Sequence, residues 1–291
     1  MKKAYFEITN VCNLSCSFCP KTKREKRFVS ITEFEHVAKK LQGRVEYLYL
    51  HLMGEPTLHP QLNSFLEIAQ ELGFKVIITT NGTTLAEKGD ILLNADLVYK
   101  VSISLHSFEA NEKNRTEKMT EYLHSCFDFA HRAASKGKIC VFRLWNLDGE
   151  NTLGENDDNP AILEQMRQYF GDDWKDTRSG KRICDKIFLE YGERFEWPDP
   201  ERDAPIEEGA DCFCHGLRDQ IGILCDGTVV PCCLDSEGTV KLGNIFENTF
   251  EEILSSPKAV AFYNSFTKRK SPTSLCSNCG YARRFLKKGD L

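Results

Sequence analysis

Short runs of β-branched and aromatic residues alternate along this chain with stretches of helical spacing, and no other feature constrains the fold as strongly. Strand candidates fall at 4–8, 45–51, 74–80, 97–104, 138–144 and 186–191. Helical patterns occupy 31–42, 60–72, 84–93, 116–135 and 160–169. In the second of these, Leu62, Phe65, Leu66, Ala69 and Leu72 fall on one face. Gly73 stops that helix, and residues 74–80 then read as a buried strand. Thr32 before Glu35 predicts a capping box at the start of the first helix. Six strands separated by helices require crossover connections, which implies an α/β chain with a parallel sheet. Such sheets present the C-terminal ends of their strands to the active site.

The pattern changes after about residue 211. Residues 221–225 and 228–231 flank Asp226-Gly227 and predict a β-hairpin with a tight turn. A helix is expected to begin at Thr249.

The chain of 291 residues holds 13 cysteines, an odd number that excludes complete internal pairing. Met1-Lys2-Lys3 leads straight into a short run interrupted by Glu7, so no signal peptide is expected. No apolar stretch approaches the ~18 residues that span a bilayer. The expectation is a reducing cytoplasm, where clustered thiols read as metal or redox sites. The net charge of −5 argues against a dedicated nucleic-acid binder. Two stretches, 148–176 and 190–211, each carry nine Asp/Glu against two Lys/Arg and read as solvated loops flanking ordered elements. The basic run at 21–27 and the basic tail at 283–288 read as solvated surface, with an anionic substrate or partner as the alternative.

Cys12, Cys16 and Cys19 form a CxxxCxxC motif directly after the first strand. A cubane iron–sulfur cluster has four irons, each needing a ligand outside the core. Three thiols therefore leave one iron open to a small molecule, as catalytic zinc sites leave one position open. A zinc site with a distant fourth ligand, or buried thiols without metal, are the other readings.

On these residues the chain resembles the radical S-adenosylmethionine (SAM) superfamily. Met53-Gly54-Glu55-Pro56, after the second strand, is similar to that family's GGEP motif, with Met53 in place of the first Gly. The resemblance implies a partial (β/α)6 TIM-like barrel over 1–195, with SAM held near Phe18, Gly54, Glu55 and Pro56. It extends the SAM site to Thr79, Asn81, Ser102 and Ser104 at later strand ends. Arg143 on the fifth strand is a candidate carboxylate partner, because a guanidinium forks onto a carboxylate. Ser and Asn at strand ends are also ordinary turn formers.

Seven further cysteines lie at 212–279. Cys214, Cys232, Cys276 and Cys279 are separated by 18, 44 and 3 positions. With the hairpin, this resembles the SPASM or "twitch" C-terminal domain of the superfamily, a small α+β unit. Residues 212–291 are expected to form it, after an acidic linker at 196–211. The resemblance implies one auxiliary [4Fe–4S] cluster on those four cysteines, with a zinc ribbon as the competing reading. Cys212 competes with Cys214 for the first ligand position. Cys225 and Cys233 are expected to point elsewhere, and Cys126, Cys140 and Cys184 read as structural thiols.

The implied reaction is one-electron cleavage of SAM to methionine and a 5′-deoxyadenosyl radical, which takes a hydrogen atom from a substrate. A closed four-cysteine cluster would accept the remaining electron, making the net reaction an oxidation. His106, Glu7 and Glu190 are candidate bases for the accompanying proton. An external one-electron donor of flavodoxin or ferredoxin type is required. The substrate reads as a small molecule, favoured by the want of an obvious appended peptide-recognition domain, or a short peptide. A peptide maturase and an RNA-modifying enzyme are the alternatives; a membrane partner is not expected.

Overall fold

The computed structural model describes residues 1–106, 116–146, 159–193, 195–199 and 212–285. Its elements run β1 (Lys3–Phe6), α1 (Ile31–Leu41), β2 (Tyr47–Tyr49), α2 (Leu62–Glu71), β3 (Lys75–Thr80), α3 (Leu85–Asn94) and β4 (Val98–Ser104). They continue with α4 (Thr116–Ser135), β5 (Ile139–Asn146), α5 (Asn159–Phe170), β6 (Lys175–Thr177), β7 (Gly180–Cys184) and β8 (Ile187–Glu193). The C-terminal part holds β9 (Gln220–Ile223), β10 (Thr228–Val230), β11 (Gly243–Asn244), α6 (Phe250–Ser255), α7 (Pro257–Thr267) and α8 (Ser274–Ser277). Most of the acidic linker (200–211), part of the other acidic stretch (148–158) and the end of the basic tail (286–288) lie outside the described residues.

The chain forms two compact units. The first comprises Met1–Asn10, Pro20–Gly54 and Phe195–Leu291. Here β1 pairs in parallel with β2 on one side and with β9 on the other. The predicted hairpin is present as β9–β10, and β11 adds antiparallel to β10. Gly227 takes φ +81 in the turn, and a Cβ there would lie 2.4 Å from Phe246, so only glycine fits. Helix α1 buries Phe34, Val37, Ala38 and Leu41, the spacing of one helical face. Its capping box is formed by Ser30 and Glu33, not by Thr32 and Glu35 as predicted. Two overlapping Ser/Thr-x-x-Glu patterns share this segment. The earlier one caps the helix because Val29, just before it, is buried and its N–H bonds Ile8 O, which sets the chain's entry.

The second unit comprises Val11–Cys19 and Glu55–Arg194. Strands β3, β4, β5 and β8 pair in parallel. Val76, Ile77 and Ile78 of β3 are all buried, as a strand covered on both faces requires. Leu62, Phe65, Leu66 and Ala69 form the buried stripe of α2. The six strands expected from the sequence are β1, β2, β3, β4, β5 and β8, each parallel to its expected partners within a unit. The structure adds an antiparallel hairpin, β6–β7, paired to β8. The sequence reading missed it because Lys175, Asp176 and Thr177 are all exposed and show no apolar alternation.

Candidate functional site

The first cysteine loop is held to the end of β3 by polar contacts within the second unit. Asn81 Nδ2 donates to Asn13 Oδ1 at 2.9 Å and reaches Cys12 Sγ at 3.9 Å. Asn13 Nδ2 donates to Thr83 Oγ1, whose hydroxyl and backbone N–H are both bonded to Asn81 Oδ1. The N–H of Leu14 donates to Cys12 Sγ. Cys12 is exposed, Cys16 buried and Cys19 half-buried. Although the residue is exposed, partial desolvation of its sulfur pushes the Cys12 thiol up; the Leu14 N–H opposes this, and the charges of Glu55, Cys16 and Cys19 add to it.

Glu55 is the knot of this region. Its N–H donates to Val11 O at 2.8 Å. One carboxylate oxygen accepts from the Thr57 N–H, the Thr57 hydroxyl and the Thr80 hydroxyl, and the other accepts from the Asn81 N–H at 2.7 Å. Burial raises its pKa against these four hydrogen bonds. Pro56 opens a short 3₁₀ turn that Glu55 caps. In the first unit, Gly54 takes φ +73, and a Cβ there would meet Thr9 O at 2.4 Å. Only glycine permits this approach of the two backbones.

The sheet register collects several predicted residues. Thr79 lies beside Ser102, and Ser104, Arg143 and Glu190 are neighbours in register across β4, β5 and β8. Parallel partners share a face, so this row sets a hydroxyl, a guanidinium and a carboxylate side by side. Arg143 and Glu190 are half-buried, and Phe18 is half-buried on the cysteine loop. His106 is fully buried just beyond Ser104.

Glu7 belongs to the first unit and is not part of that row. Its fully buried carboxylate pairs with Arg24 at 2.8 Å and accepts from the N–H of Met53 and from the N–H and thiol of Cys225. This is the bonding of an anchor. The basic run is similarly engaged, because Arg24 binds Glu7, Arg27 binds Glu33 and Lys26 donates to Asn10 O. Among the described residues, Lys21 and Lys23 are its cations without such partners.

The second cysteine set lies in the first unit. Burial raises the thiols of Cys214, Cys232 and Cys276, and raises Cys212 to about 12. The charge of Cys214 acts on Cys212, Cys232 and Cys276, and that of Cys279 acts on Cys214. Cys214 therefore lies near all three other expected ligands. Cys212 interacts with Cys214, Cys276 and Cys279. Backbone N–H groups of Gly216 and His215 donate to Cys214, that of Leu234 to Cys232, and the Thr273 side chain bonds Cys276. Cys225 turns to Glu7, and Cys233 accepts from the Tyr5 hydroxyl. Cys126 and Cys140 are buried with thiols pushed up to about 12, as core thiols are, while Cys184 is exposed.

The sequence profile described as the Radical SAM superfamily matches residues 6–152, just over half of the chain. That of SPASM, an iron–sulfur cluster-binding domain, matches residues 212–280. AlbA of Bacillus subtilis (strain 168), an antilisterial bacteriocin subtilosin biosynthesis protein, is 24% identical over 96% of this chain. The chain spans 65% of AlbA, less than two thirds of its length. Among solved structures, Streptococcus suis SuiB bound to precursor peptide SuiA is 16% identical with a TM-score of 0.61, over 98% of this chain and 73% of SuiB. BtrN in complex with AdoMet and 2-DOIA is 16% identical with a TM-score of 0.54, over 96% of this chain and 92% of BtrN.

These likenesses give the fold class, an α/β partial (β/α)6 barrel with a SPASM region. The two domains imply a SAM-binding [4Fe–4S] cluster and auxiliary iron–sulfur binding. The donor chemistry fits both, with sulfur ligands grouped in each place and N–H donors aimed at sulfur. Among the described residues no group of three His, Cys, Asp or Glu is drawn together around a single metal ion. A cubane spaces its ligating sulfurs more widely than one tetrahedral ion does. No helix among the described residues is long and apolar enough to cross a membrane.

Proposed function

The chain belongs to the radical SAM superfamily and carries a SPASM domain, and from that premise we propose that it oxidises a peptide substrate by hydrogen-atom abstraction. When bound, SAM and the clusters supply one-electron sulfonium cleavage, a 5′-deoxyadenosyl radical that removes a substrate hydrogen, and uptake of the remaining electron. Cys12, Cys16 and Cys19 would hold the SAM-binding cluster. Asn81 and Asn13 orient that loop, and Glu55 fixes it to β3. Ser102, Ser104 and Arg143 receive SAM hydroxyl and carboxylate groups. Glu190, in register with Arg143, takes the substrate proton, with His106 as the second candidate. Glu7 serves as an anchor between strands. Cys214, Cys232, Cys276 and Cys279 would hold the auxiliary cluster with four protein ligands.

The observation that carries this reading is the pairing of an open three-thiol loop with a closed site in which Cys214 neighbours the other three ligands. The likeness to AlbA over nearly the whole chain supports a peptide substrate. The likeness to BtrN keeps a small molecule as the second reading. RNA is the weakest, since three cations of the basic run are bonded internally. We further place the protein in a reducing cytoplasm, with a flavodoxin- or ferredoxin-type donor. The domains divide at 1–195 and 212–291.

Anaerobic reconstitution tests this directly. About eight irons per chain, as two [4Fe–4S] clusters, are expected, with reductant-dependent release of 5′-deoxyadenosine. About four irons with one zinc would overturn the auxiliary cluster. Loss of two hydrogens from a peptide encoded beside this gene, read by mass spectrometry, supports the peptide reading. Turnover confined to small metabolites refutes it.

A further inference from the structure

The auxiliary site contains one donor that its own protein contacts do not use. Asn278 stands between Cys276 and Cys279, at the C-terminal cap of α8, and is 2% exposed. Its backbone N–H is bonded to Ser274 O. Its side-chain Nδ2 is buried and has no acceptor among the described residues. A buried amide without an acceptor is costly, and native sites satisfy nearly all such groups. The neighbouring sulfurs already carry donors, the N–H groups of His215, Gly216 and Leu234 and the Thr273 side chain. The acceptors this amide lacks are those an iron–sulfur core supplies, namely thiolate and sulfide sulfur.

We propose that Asn278 Nδ2 donates a hydrogen bond to sulfur of the auxiliary cluster and thereby sets its reduction potential. This rests on the reading that Cys214, Cys232, Cys276 and Cys279 hold a [4Fe–4S] cluster. A donor on cluster sulfur stabilises the reduced state, which carries more negative charge, and so raises the potential. A raised potential suits a cluster that accepts an electron from a substrate radical. Asn278 is thus a positioning and tuning residue, in contact with the cluster and not with substrate.

The test uses the full chain in a Cys12→Ala, Cys16→Ala, Cys19→Ala background, where only the auxiliary cluster remains. Asn278→Leu keeps the side-chain volume and removes the donor. Its iron content should be unchanged, and its EPR-monitored midpoint should fall by about 59 mV, a tenfold change in a one-electron equilibrium. Asn278→Gln should recover part of that shift. Retained iron with an unmoved midpoint overturns the proposal and leaves the cluster assignment standing. A background protein that binds no iron overturns the cluster assignment itself. Should Asn278→Leu shed iron, the unsubstituted site decides: HYSCORE spectra of protein carrying asparagine labelled with ¹⁵N at Nδ must show a nitrogen coupled to the reduced cluster. Absence of that coupling overturns the proposal.

Discussion

The two cysteine groups are built in different ways. The loop at 12–19 carries its thiols on one short segment, with Cys12 exposed and contacted by the Leu14 N–H and Asn81 Nδ2. The C-terminal site gathers thiols from 212–214, the end of the β9–β10 hairpin and α8 with its cap; Cys214, Cys232 and Cys276 are half-buried, Cys279 is buried, and donors reach several of the sulfurs. A site that must admit a small-molecule ligand leaves room beside its sulfurs. A site that only exchanges electrons can be closed and its charge stabilised by fixed N–H groups. The first group comes from local sequence, the second from tertiary assembly.

The sharpest way to break this contrast is to remove either set of ligands. Cys12→Ala, Cys16→Ala, Cys19→Ala should abolish 5′-deoxyadenosine formation and halve the iron to about four per chain. Cys232→Ala with Cys276→Ala should also lose about four irons but retain SAM cleavage uncoupled from substrate oxidation. Equal loss of SAM cleavage in both would erase the distinction. Cys214→Ala should shed auxiliary iron while Cys212→Ala keeps it, and the reverse result would exchange their roles. Arg24→Leu leaves Glu7 buried and unpaired, which should cost about 3–5 kcal/mol in chemical denaturation. The loss would loosen the segment after Cys19, since Arg24 also donates to Ser236 O. Ser30→Ala removes the α1 cap and should cost ~1 kcal/mol, with no change in iron content.

The sequence made the parallel strands legible because buried β-branched runs and helical stripes are local patterns. The CxxxCxxC loop was legible for the same reason. The β6–β7 hairpin was not, since its polar strands carry no periodic signal. Nor was the break between α6 and α7, where Ser256 caps one helix at its end and the next at its start. Glu7 read as a possible base because its partners lie 17 and 218 positions away along the chain. Choosing between Cys214 and Cys212 turns on the positions of Cys232 and Cys276 in space, which local sequence does not carry. Asn278, between Cys276 and Cys279, carries no sequence signal of its own, and only its burial makes it informative.

The pairing of β1 with β9 sets an order of events during synthesis. Lys3 lies beside Gln220 and Phe6 beside Ile223, so one flank of the first strand is completed only after some two hundred further residues have left the ribosome. Until then β1 exposes an open edge, the kind of surface that recruits other strands. Such distant pairing is slow to form. The step that covers that edge is also the step that brings the hairpin of the second cysteine site into place. Closing the sheet and making the site ready to receive its metal therefore belong to one late event in the birth of the molecule.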